Sequence, residues 1–301
     1  MLKSYIAGMK RELFFHVCSK GLKSDILFEN TEEYISGMNR IAICLQYELE
    51  GGRQIRLVAF CLMDNHVHFV IFGSDEAVDS FIQRYKKLTN MWISKHRESA
   101  LTETMVFNSY PIWPDSKLKE KVIYVLRNPV AAKMGFTPSG YRWSSGPLLF
   151  AENGWITGLC RKMAELSMRK KKQLFSTAVC LPDEWLVLPD GLIWPGCYTD
   201  YRYAEKLFSS IGDYLYMLNT SNIDKTVNEE MCADDVSAPD SEVKKRADET
   251  AFRIYGKEQL RECSPRERVE IARLLKKEKW SGVKQLARIT GLKVEDLKDL
   301  V

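Results

Sequence analysis

Leu62-Met63-Asp64-Asn65-His66-Val67-His68-Phe69-Val70-Ile71 sets two of the chain's four histidines two positions apart inside an apolar run. A β-strand turns every second side chain to the same face, so this spacing predicts His66 and His68 side by side with Val67 facing away. Two imidazoles so placed can share one divalent cation. They can equally be satisfied by local hydrogen bonds on a half-buried strand. Asp64-Asn65 reads as a tight turn, which makes residues 54–63 and 67–72 the two arms of a hairpin.

Working outward, Glu12 to Cys18 is rich in aromatic and β-branched residues and reads as a first strand. Asn30-Thr31-Glu32-Glu33 has the form of a helix start, with apolar residues at helical spacing up to about Gln46. Ser74-Asp75-Glu76 caps a second helix that runs to about His96. Strand, helix, strand, strand, helix is most of a ferredoxin-like α+β sandwich, an antiparallel sheet with helices. A further helix follows Pro114 and is expected to end near Asn128-Pro129, because the residue before a proline is biased away from helical angles.

The chain has 301 residues, enough for more than one domain, and its 45% hydrophobic and 11% aromatic content is that of a globular protein. No apolar run approaches the roughly 18–20 residues that span a bilayer, and the first residues lack the form of a secretory signal, so a cytoplasmic protein without membrane contact is expected. Eight scattered cysteines without a CxxC pair argue against a zinc ribbon or a disulfide framework. Net charge is only +4. Its distribution is more telling: residues 218–242 hold seven acids and one base, whereas Arg84, Lys86 and Lys87 cluster on the second helix.

These features suggest four segments: 1–150, the domain bearing the histidines; 151–217, a mixed extension without a clear motif; 218–242, an acidic linker; and 243–301, a mainly helical module. In the last, Gln285–Leu292 has the small and turn residues of a helix-turn-helix. The following Val294–Leu300 would be its recognition helix. It carries Glu295, Asp296 and Asp299, which repel phosphates, so a purely structural helical cap is an equal reading.

Two histidines leave a metal site incomplete. Tyr124 and Asn128, in Ile123-Tyr124-Val125-Leu126-Arg127-Asn128-Pro129-Val130, are four apart and so share a helix face, about 6 Å apart at Cβ. Asn128 offers an amide oxygen as a third ligand for Mg²⁺ or Mn²⁺, and Tyr124 would then face the same phosphate as the metal. The plainer alternative is a core aromatic followed by a helix cap.

Taken in order, Met63-Asp64-Asn65-His66-Val67-His68, the basic helix, Tyr124-x-x-x-Asn128-Pro129-Val130 and Tyr141-Arg142-Trp143-Ser144-Ser145 resemble the single-tyrosine HUH transposases, IS200-like. Within these the REP-associated tyrosine transposases are most similar. The resemblance covers about residues 8–150. It implies a ferredoxin-like fold, a divalent metal (Mg²⁺ or Mn²⁺) held by His66, His68 and Asn128, and Tyr124 as nucleophile. The implied reaction is transesterification of single-stranded DNA at a hairpin, with Tyr124 becoming linked to the 5′-phosphate. Arg84, Lys86, Lys87 and Arg127 would neutralise DNA phosphates; for the three on the second helix a solvated helix face is an equal reading. Members of the family occur as dimers or monomers, so a homodimer is compatible with the resemblance.

Tyr85, on the basic helix, is a rival nucleophile, but no amide ligand lies one turn on from it. A domesticated DNA-binding or regulatory protein of the same fold, without transposition, is the alternative function. A zinc hydrolase needs further ligands. Only His16 and His96 remain, and neither has ligand-like spacing; His16 is expected to be packed or close to DNA rather than a ligand. Trp143 is expected in the core.

The family usually has a Gly/Phe/Arg-containing strand before the tyrosine. Met105–Trp113 stands there instead, which leaves the DNA path open.

Overall fold

The computed structural model describes residues 12–20, 26–98, 101, 104–132, 134–152, 158–220, 240–277, 283–293 and 296–297. They fall in two compact units, one of residues 1–108 and 119–221, the other of residues 109–118 and 222–301.

The sheet runs β1 (Leu13–Ser19), β2 (Ile55–Leu62), β3 (Val67–Gly73) and β4 (Phe107–Pro111). Helix α1 (Thr31–Glu50) follows β1, and α2 (Asp75–His96) follows β3. Strand order β2-β3-β1-β4, with β3 antiparallel to both neighbours, is the ferredoxin-like arrangement. Met105–Trp113 thus supplies the fourth strand.

Local chemistry explains the element ends. Asn30 Oδ1 accepts from Glu33 N at 3.1 Å, and Ser74 Oγ from Ala77 N at 3.2 Å, each taking up a donor that the first helical turn leaves unpaired. The helix α1 extends past Gln46 to Glu50 and closes at Gly51.

The two faces of the sheet differ in chemistry. One carries Phe15, Val17, Val67, Phe69 and Ile71, all buried, and is covered by α1 and α2. Phe69 meets Phe81 and Tyr85 of α2 edge-on, at 5.5 and 5.3 Å between centroids. Within the helical layer, Arg40 Nε donates to Thr89 Oγ1 at 3.1 Å. The opposite face carries Phe14, His16 and Cys18 from β1 and His68, Val70 and Phe72 from β3. Helix α3 (Leu118–Ala131) lies over its histidine end. The short α5 (Tyr201–Lys206) lies over its other end, with Tyr203 stacked on Phe14 at 5.6 Å.

Tyr141-Arg142-Trp143-Ser144-Ser145 runs along the free edge of β2. Leu62 N donates to Trp143 O at 2.8 Å, Ser145 N to Phe60 O at 3.0 Å, and Tyr141 Oη to Leu62 O at 2.8 Å. An exposed strand edge invites foreign pairing, and this segment occupies it. Trp143, expected in the core, is only half-buried and stacks on Tyr34 at 4.8 Å. Gly146 closes the segment so tightly that a Cβ there would collide with the Pro138 carbonyl. Gly146→Ala should therefore cost about 1–3 kcal/mol, read as a lower urea midpoint at unchanged m.

Residues 151–217 belong to the first compact unit rather than trailing from it. Asn39 of α1 donates through Nδ2 to Gly191 O at 2.9 Å and accepts from Ile193 N at 2.8 Å. The segment includes a two-stranded sheet, β5 (Arg161–Lys162) and β6 (Leu186–Val187), with α4 (Met168–Phe175) between the strands, and ends in α6 (Ile211–Thr220).

The acidic stretch read as a linker lies outside the described residues between 221 and 239; its ends, 218–220 and 240–242, are helical. In the second unit, helices Asp240–Tyr255, Pro265–Lys277 and Val283–Thr290 pack through buried Ala247, Ala251, Ile271, Leu275 and Leu286. Of the candidate recognition helix only Asp296 and Leu297 are described. Among the described residues no helix is long and apolar enough to cross a membrane.

Candidate active site

The hairpin turn fixes His66. Met63 N donates to His66 O at 2.8 Å, and Asp64 O accepts from Leu27 N at 2.6 Å and Phe28 N at 2.9 Å. His66 is thus the last turn residue before β3 and is half-buried. Its Nδ1 lies 2.6 Å from Asn65 Oδ1. An amide oxygen only accepts, so Nδ1 carries the proton and Nε2 the lone pair.

His68 is 4% exposed. Its Nδ1 lies 3.1 Å from His16 Nε2, with the two rings parallel to within 4°. Its buried Nε2 has no hydrogen-bond partner. Burial, and then the nearby His66, His16 and Lys121, hold its pKa well below the ordinary histidine value. It is therefore neutral at neutral pH, the protonation state a metal requires. The ring centroids of His66 and His68 are 4.9 Å apart, and each ring has its Nδ1 in a hydrogen bond.

Tyr124, on α3, sets its ring almost perpendicular to His16 and His68, at 5.5 and 5.6 Å between centroids. Lys121, three residues earlier, brings its ammonium to 5.3 Å from the centre of that ring. One turn on, α3 does not stop at Asn128-Pro129 as expected but continues to Ala131 with Pro129 inside it. Proline has no N–H to give to the Val125 carbonyl. Asn128 supplies the substitute: its Nδ2 donates to Val125 O at 3.2 Å and to Tyr124 O at 3.1 Å. With both amide hydrogens committed to the helix, only the amide oxygen is left to offer an outside group.

His16, expected to be packed or close to DNA rather than a ligand, is buried and packs against His68. Cys18 pairs with His68 across β1 and β3, and His16 is two residues back on the same face. The ligand atoms of His16, Cys18 and His68 all lie within 4.8 Å of one another, and the three side chains are buried. This cluster can hold a metal ion. Sequence spacing could not reveal it, because the register of two strands 52 positions apart brings it together.

Other candidates fall elsewhere. Tyr85, the rival nucleophile, is fully buried among Phe69, Phe81 and Phe107 on the other face of the sheet. Arg84 lies flat on Tyr47, with 3.0 Å from its guanidinium carbon to the ring centre. Lys86 is half-buried and Lys87 exposed, on the helical layer away from His68. Arg127, by contrast, is on α3 beside Asn128, and its Nε and Nη1 are buried without hydrogen-bond partners. Burial draws its pKa below the ordinary arginine value.

Residues 39–116 match the family model described as transposase, IS200-like. The histidine pair lies in the stretch that is similar to an IS200-like transposase domain. Transposase-type DNA processing is the activity class of such a domain. The matched stretch includes His66, His68 and α2 and ends before Tyr124 and Asn128. Among solved structures the chain is similar to a REP-associated tyrosine transposase bound to a REP hairpin. Identity is 22%, the match covers 45% of this chain and 76% of that one, and the TM-score is 0.32. No curated protein matches the chain.

Proposed function

We propose that the protein is a metal-dependent, single-stranded DNA endonuclease and strand transferase acting at hairpin DNA through a 5′-phosphotyrosine at Tyr124. The observation that carries this is the placement of the Tyr124 ring against His68, 5.6 Å between centroids, one helical turn ahead of Asn128.

The donor set suits Mg²⁺ or Mn²⁺. His66 and His68 would bind through Nε2 and Asn128 through its amide oxygen; the unpartnered, buried Nε2 of His68 and the committed Nδ2 of Asn128 support this. When bound, such a cation polarises the scissile phosphate and offsets charge on the departing oxygen.

The chain's own residues supply the rest. Tyr124 gives up its phenolic proton to solvent and attacks phosphorus, forming the tyrosine–phosphate bond as the bond to the DNA 3′-oxygen breaks and that oxygen leaves, taking a proton from solvent to become the 3′-hydroxyl. An ordinary phenol has a pKa of about 10, so the proton must be drawn off for attack at neutral pH. Arg127, whose buried Nε and Nη1 have no hydrogen-bond partner, would donate to a phosphate oxygen on a small side-chain rearrangement. Stored as a phosphotyrosine, the bond can be passed to a second DNA end, which reverses the step.

The direct test mixes the full chain with hairpin-bearing single-stranded DNA and Mg²⁺ or Mn²⁺ and looks for an SDS-stable complex of protein plus the 3′ fragment. Tight binding without any such complex, across a library of hairpins, would instead mark a DNA-binding protein that keeps the fold without transposition. A separate expectation concerns Arg127. Arg127→Ala should weaken single-strand binding by about tenfold or more. It should also lower the slope of log K against log salt by about 0.7, as for one lost phosphate contact.

A further inference from the structure

We propose that His16, Cys18 and His68 form a second, sulfur-containing site for a thiophilic divalent ion such as Zn²⁺, and that filling it withdraws His68 from the hard-cation centre. The site stands on the geometry of β1 and β3 alone. Only the withdrawal rests on the reading of His66, His68 and Asn128 given above.

Three features make the cluster a site. Its ligand atoms lie within 4.8 Å of one another. Donors on one tetrahedral zinc, with bonds of about 2.0–2.3 Å, sit roughly 3.3–3.8 Å apart, so small side-chain rotations close it. The donors are also anchored on paired strands: Cys18 is directly opposite His68, and His16 Nε2 already stands 3.1 Å from His68 Nδ1. Finally, the donor set is chemically distinct from the proposed catalytic one. Sulfur selects Zn²⁺ and its soft neighbours, whereas Mg²⁺ and Mn²⁺ favour oxygen and nitrogen.

Binding is a proton exchange. The ion takes the Cys18 thiolate, and the thiol proton leaves to solvent, one proton per ion. His16 joins through Nε2 and His68 through Nδ1, the two atoms that now face each other. A neutral imidazole has a single lone pair. Once Nδ1 is bound, the His68 proton must sit on Nε2, which can no longer serve the hard cation. The two sites share a residue and exclude each other.

Co²⁺ reports the site, because a thiolate bound to it gives a near-ultraviolet charge-transfer band that nitrogen and oxygen ligands do not. Titrated into the reduced full-length protein, Co²⁺ should raise that band to saturation at one equivalent. Cys18→Ser should lose it, His16→Asn should lose most of it, and His66→Ala should keep it, with circular dichroism confirming that each variant is folded. No band in the unaltered protein, or a band that survives Cys18→Ser, overturns the site.

Sharing is read separately, from the paramagnetic resonance signal of bound Mn²⁺. One equivalent of Zn²⁺ should release Mn²⁺ from the unaltered protein but not from Cys18→Ser. Zn²⁺ that leaves Mn²⁺ in place overturns the withdrawal. Protein that never binds Mn²⁺ overturns the hard-cation reading and the withdrawal with it, while the cobalt band still decides the sulfur site.

Discussion

Tyr124→Phe is expected to abolish covalent attachment to DNA completely while leaving hairpin binding within about twofold. The variant removes a single oxygen. The ring that lies edge-to-face against His16 and His68, at 5.5 and 5.6 Å, is retained, so the packing of α3 on the sheet should survive. The rival phenol of Tyr85 cannot take its place, since it is buried on the opposite face of the sheet. The readouts are an SDS gel for the adduct and fluorescence anisotropy for binding. An adduct that persists in the Phe variant would remove Tyr124 from the chemistry.

The second large effect concerns His68. His68→Ala should eliminate saturable Mn²⁺ binding and reduce the rate of strand cleavage by on the order of a thousandfold, the counterpart of about 4 kcal/mol of lost charge stabilisation. Chelation of the unaltered protein should give the same loss, reversed by Mn²⁺ or Mg²⁺, whereas the alanine variant should not recover. His66→Ala should behave alike at the hard-cation centre. Cleavage that continues at full rate in a chelator would overturn the metal dependence. Stability needs its own control, because His68 is buried and bonded to His16. A thermal melt on each variant separates loss of the ion from loss of the fold.

Much of the fold was legible where the deciding interactions are local. Asn30 and Ser74 each cap a helix through their own side chains. The Asp64-Asn65 turn closes the hairpin through a bond between its flanking residues, Met63 N to His66 O. The inward phase of α2 could also have been read, since Val78, Phe81, Ile82, Tyr85, Thr89 and Ile93 follow helical spacing and all are buried. That stripe would have set Tyr85 aside as a nucleophile.

Pro129 misled for a physical reason. The rule that a helix ends before proline assumes that the lost hydrogen bond goes unreplaced, and here the Asn128 amide replaces it. His16 was missed because no local pattern encodes the pairing of β1 with β3. Residues 151–217 gave little signal because their strands are two residues long and their order comes from packing on the sheet and α1.

The amide splint has a cost for any attempt to redesign this protein. Positions 124, 128 and 129 behave as one unit: the proline opens a gap in the ladder, the asparagine fills it with its amide hydrogens, and filling it leaves the carbonyl end of that same side chain for other contacts. Aspartate at 128 would bring an anion to the proposed ion but nothing to mend the helix with, and glutamine would move the carbonyl by a methylene. Restoring an ordinary residue at 129 would relieve the amide of its structural duty and let it swing. A swap that looks harmless on paper would then blur the aim of the proposed ligand without removing it.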